Sequence, residues 1–73
     1  MNSRLSFFSE VEILAATAQK QLIHQKGVII GISEEDGVIY GYGVLIHGRE
    51  GLDFFEAKDL KPTGKQFKRE DFY

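Results

Sequence analysis

Catalysis needs a positioned base, nucleophile or metal, and few of these 73 residues could supply one. The two histidines, His24 and His47, have neither a CxxC partner nor HxxxH spacing. Histidines beside turns, as these are, are far more often solvated than metal-bound. Cysteine is absent, which excludes disulfide frameworks, cysteine-ligated zinc and thiol chemistry. Ser33 has no adjacent base. Gly41-Tyr42-Gly43 lies inside an apolar β-branched run and not before a helix, so it makes no phosphate cradle. Glu34, Glu35 and Asp36 stand together, yet calcium takes ~6–8 oxygens at defined spacing and this triplet has no such loop motif. The expectation is no catalytic residue, no metal and no cofactor: a non-enzymatic protein whose work is recognition.

For recognition the same acidic triplet is well suited to a basic partner surface. Complementary charge raises association rate and specificity. Tyr40, Tyr42, Phe55, Phe72 and Tyr73 belong to the aromatic types that act as interface anchors. Core packing competes for one or both of Tyr40 and Tyr42. Phe72 and Tyr73 follow the charged triplet Arg69-Glu70-Asp71, so this tail either covers the domain or contacts another chain. The candidate partner-binding residues are therefore Glu34, Glu35, Asp36, Tyr40, Tyr42, Arg69, Glu70, Asp71, Phe72 and Tyr73.

Eleven acidic residues against nine basic ones leave a net charge of −2 and a pI near 5.6. Nucleic-acid binders carry a basic excess on one face, and the whole chain lacks it. The charge is uneven: residues 1–57 sum to −4 and residues 58–73 to +2. That basic end reads either as a phosphate-contacting strip or as a solvated strand of mixed charge. No apolar run approaches the ~18 residues of a membrane span. The first ten residues hold no sustained apolar stretch, so no signal peptide is expected.

The elements that must position these residues are mostly strands. Val11 and Ile13 alternate with Glu10 and Glu12, the period of a half-buried strand within 7–14. Leu14, Ala18 and Leu22 recur every four residues. They predict one short helix near 18–25, anchored by Leu22 and Ile23, with Gly27 as its left-handed cap. Val28 to Ile32 is the strongest strand signal. Asp36-Gly37 is a tight-turn pair, and the run resumes over 38–46 to complete a hairpin with an acidic tip. A turn at 47–51, a strand at 52–56, one helical turn at 57–60 and a fifth strand at 65–67 follow. Gly41 and Gly43 share one face of their strand and mark a sharp bend, a bulge or a close backbone approach.

This pattern predicts a mainly β fold: one domain over 1–73, a small SH3-like barrel of about five strands, with one short helix between strands 1 and 2. Residues 1–6 read as an N-terminal extension. The expected core is Val11, Ile13, Val28, Ile30, Tyr42 or Val44, Phe54 or Phe55, and Leu60. Such a core is thin for its chain, and a close partner or a homodimer would add burial.

Three segments carry a resemblance: Gly27-Val-Ile-Ile-Gly-Ile-Ser-Glu-Glu-Asp-Gly37, Asp59-Leu60-Lys-Pro-Thr-Gly64 and Arg69-Glu-Asp-Phe-Tyr73. Together they resemble the immunity protein 31 family of bacterial polymorphic toxin systems, over about residues 7–73. Asp-Leu-x-Pro alone is common in SH3-like and KOW-like barrels; the pairing of Pro-Thr-Gly with Arg-Glu-Asp-Phe-Tyr is much more specific. The resemblance implies a small β-rich protein that binds and blocks a cognate toxin domain in the cytoplasm, without a cofactor. The absence of cysteine suits that compartment. Two other readings stand beside it. One is a KOW-like barrel that uses its basic end on nucleic acid. The other is an accessory subunit of a larger enzyme complex.

Overall fold

A computed structural model describes residues 5–15 and 20–68. Five strands form one antiparallel sheet: β1 (Ser9–Ile13), β2 (Lys26–Glu35), β3 (Val38–Ile46), β4 (Asp53–Phe55) and β5 (Leu60–Gln66). Their order across the sheet is β4-β3-β2-β1-β5. The meander β1 to β4 folds back so that β5 pairs with β1, as a small SH3-like barrel requires.

The β2–β3 hairpin dominates because its strands are rich in Val, Ile and Tyr, which fit a pleated, half-buried surface. Asp36 (φ 54°) and Gly37 (φ 80°) are both left-handed at its tip. That matches the right-handed strand twist, as two-residue hairpin turns need.

The short helix expected near 18–25 is a single 3-10 turn over Lys20–Leu22 among the described residues, with 18 and 19 lying outside them. The chain is recaptured at once. The His24 N–H donates to the Ile13 carbonyl at 2.7 Å, and the Ile13 N–H to the Gln25 carbonyl at 2.9 Å. Leu22 is buried as the anchor. Gly27 is no helix cap: it lies inside β2, opposite Val11 and Ile46. A Cβ there would stand 2.7 Å from the Leu45 carbonyl oxygen. A second 3-10 turn, Ala57–Asp59, leads into β5.

One sheet face is the core. Val11, Ile13, Ile29, Tyr42, Val44, Ile46, Phe55 and Leu60 pack there with Leu5 and Leu22. Leu5 thus belongs to the core, although it falls within the stretch read as an extension. Tyr42 and Val44 are both buried, and of the two phenylalanines Phe55 is the core residue. In β2 the core residue is Ile29 in place of the expected Ile30. The cause is the register with β1: core residue Val11 pairs with Gly27, so alternation turns Ile29 inward and Val28 outward. A β-bulge then leaves Ile30 as an extra residue, with Ile29 paired to Val44 and Gly31 to Gly43. Val28 is fully buried, but it sits beside Glu10 and Leu45 on the opposite, outer face.

Candidate partner-binding surface

The hairpin tip brings four of the sequence candidates together. Glu34, Glu35 and Asp36 are all exposed around the turn. Tyr40 is 60% exposed and Val38 53%. Tyr40 owes its exposure to a second bulge: Ser33 pairs with Gly41 and Glu34 with Ile39, so Tyr40 is the extra residue of β3. Tyr42 is separated from this group. Its ring is buried in the core at 2% exposure and presents nothing to a partner. Arg69, Glu70, Asp71, Phe72 and Tyr73 lie outside the described residues.

The outer face of the sheet has two unlike ends, and sequence reading found neither as a site. Toward β4 it is apolar. Gly43 stands directly between Gly31 and Phe54 in the strand register. A Cβ on Gly43 would meet the Phe54 ring at 3.3 Å and Leu52 at 3.4 Å, so both side chains rest over the glycine. Phe54 is nevertheless 67% exposed, the highest value among the large apolar residues that are described. The preceding turn is held by Arg49, whose Nε and Nη2 reach the Asp53 carboxylate at 3.1 and 3.4 Å. Left-handed Gly48 and Gly51 shape that turn. The signal for this patch was present in the sequence as Gly41 and Gly43 on one strand face, but a bend explains glycines equally well.

Toward β1 and β5 the outer face is polar. The Thr63 hydroxyl donates to Glu10 Oε1 at 2.7 Å, and His47 Nε2 lies 2.9 Å from Glu10 Oε2. The Thr63 hydroxyl, and after it the His47 ring, hold the Glu10 carboxyl below its ordinary value, against the opposing pull of burial. The His47 ring in turn lies 5.9 Å from that of Phe67, over which Lys65 Nζ sits at 4.8 Å. His24 Nδ1 and Glu12 Oε2 make a second pair at 3.1 Å. This cluster can clamp β1, β3 and β5 together. Among the described residues, no group of three His, Cys, Asp or Glu side chains is placed to hold a metal ion. Nor is any described helix long and apolar enough to cross a membrane.

No known protein family, curated protein or solved structure matches this chain. The candidate surface therefore rests on its own geometry.

Proposed function

We propose that this chain is a non-enzymatic protein-binding module, an immunity-type protein that binds and sterically blocks a toxin domain in the cytoplasm. One observation carries the binding part: the β2–β3 hairpin presents three exposed carboxylates together with exposed Val38 and Tyr40. Charge for steering beside apolar anchors is the composition of a protein interface. The immunity part is supported by the resemblance of the three sequence segments.

The test is a pull-down of the N-terminally tagged chain from nuclease-treated extract of its own host at low and high salt. The expected result is one co-purifying chain that survives high salt, is toxic when expressed alone and is silenced by co-expression. A stable non-toxic enzyme chain would replace the immunity reading with that of an accessory subunit. Nucleic acid lost at high salt would favour the KOW-like reading. With the partner in hand, reversing Glu34, Glu35 and Asp36 to lysine slows association and changes its salt dependence.

A further inference from the structure

An antiparallel sheet with one face on the core ordinarily turns a polar face to water. Here the outer face of β2, β3 and β4 departs from that rule. Going across it, Gly31, Gly43 and Phe54 occupy one row, with Leu52 beside them. Gly41 continues the glycines along β3. Glycine inside a strand weakens it, and these positions do not all need glycine for space. A Cβ on Gly31 would find its nearest neighbour at 3.7 Å, an ordinary contact. What Gly43 allows is for one aromatic ring and one leucine to lie down over the sheet, covering the glycine while staying 67% and 42% exposed.

The charge of these strands is mainly acidic. Residues 26–57, which hold β2, β3, β4 and their turns, carry six acidic residues (Glu34, Glu35, Asp36, Glu50, Asp53, Glu56) and two basic residues, Lys26 and Arg49. That is −4, against +2 for the rest of the chain. Arg49 is moreover engaged with Asp53.

We propose that the outer face of β2–β3–β4, centred on Phe54 above Gly43, is a docking surface for a cationic protein segment bearing apolar side chains. The proposal deepens the protein-binding reading and rests on it. Phe54 and Leu52, lying over Gly43, supply the apolar anchors, and the acidic residues of these strands and turns select Lys and Arg. The same charge disfavours the other candidates. A second copy would bring two such acidic segments of −4 together, and nucleic acid or an anionic lipid surface would be repelled.

The test titrates the full 15N-labelled chain with a short amphipathic leucine–lysine peptide, and in parallel with its leucine–glutamate counterpart. The amides of Gly31, Gly43, Leu52 and Phe54 shift with the lysine peptide alone, less so as salt is raised. Phe54→Ala, whose ring is mostly outside the core, keeps the fold by circular dichroism and weakens the peptide roughly tenfold or more. No shift, equal shifts with both peptides, shifts confined to residues 34–40, or binding indifferent to Phe54→Ala would each overturn the proposal. So would a dimer that Phe54→Ala dissolves, since the occupant would then be a second copy. Removal of residues 69–73 that shifts the same four amides without peptide would name the chain's own end as the occupant, with the same consequence. Failure here is separable from failure of the binding reading. A toxic partner captured equally by wild type and Phe54→Ala sinks this surface and leaves that reading intact, whereas the absence of any captured partner strikes the reading itself.

Discussion

The Thr63 hydroxyl donates a 2.7 Å hydrogen bond to the Glu10 carboxylate across 53 positions of sequence. It joins β5 to β1 at the point where their register shifts, between the Ser9–Gln66 and Val11–Pro62 pairs. The bond lies on a mostly buried carboxylate that His47 approaches from β3's end. A single acidic side chain thus ties the first strand to the last.

Thr63→Val removes the donor and keeps the shape. Hydrogen bonds to charged groups contribute about 1.5–3 kcal/mol, so a loss near the lower figure is expected at pH 7 in urea unfolding. The pH dependence has a definite sign. Glu10 is held below its ordinary value of 4.5 in the folded chain, by Thr63 first and His47 next. Its contribution is therefore complete above the unfolded value and is lost as pH falls through the folded one. Unfolding midpoints measured from pH 7 down to the acid limb should fall below about pH 4.5 in the wild type, and the fall should be shallower in Thr63→Val.

Phe54 and Phe55 are neighbours with opposite fates. Phe55→Ala empties a core site and costs about 3–5 kcal/mol, enough to unfold much of so small a domain. Phe54→Ala changes stability by about 0.5 kcal/mol or less, as surface substitutions do. Thermal and urea unfolding of the two variants, side by side, checks the assignment; comparable losses would mean that the strand register is wrong.

Gly27 and Gly31 separate in the same way. A Cβ at Gly27 would stand 2.7 Å from the Leu45 carbonyl oxygen and 2.8 Å from the Ile46 Cα, both backbone atoms that cannot turn aside. Gly27→Ala should cost about 3 kcal/mol through overpacking. Gly31→Ala, with its nearest atom at 3.7 Å, should be neutral or slightly stabilising. Urea midpoints with unchanged slopes distinguish the two.

Gly37 tests the hairpin turn. No atom lies within 4 Å of its would-be Cβ, so space is not the constraint; its φ of +80° is. Gly37→Ala should cost about 1 kcal/mol from the left-handed conformation alone. Hydrogen exchange of the 34–39 amides should speed up more than that of the β1–β5 pair, because the turn acts locally.

Much of the fold is legible in the residues. Alternation marks β1, the β-branched runs mark β2 and β3, and Asp36-Gly37 marks the turn between them. The exposed acidic tip follows from the same reading. Leu14, Ala18 and Leu22 have helical spacing, but so short a stretch does not stand as a helix without packing. Backbone bonds from Ile13 to Gln25 and from His24 to Ile13 claim its end for the sheet. The outer-face sites were missed because each is assembled across strands. Glu10, His47 and Thr63 share no spacing that a sequence displays.

What the sequence determines by itself is local: where strands run, where the chain must turn, and that no catalytic motif is spelled out in the chain. What only the tertiary structure decides is which side of each strand faces inward. That choice turns on a parity of two. In β2 the pairing with β1 turns Ile29 inward, and the extra residue Ile30 then resets the parity, so that Ile32 packs against the core and Gly31 faces out. Likewise Tyr40 resets it in β3 and is left in solvent. In β4 the register with β3 settles Phe55 against Tyr42 and Phe54 above Gly43. A bulge costs no change of residue type and leaves no composition behind, so the face a partner would meet emerges only when the strands are paired.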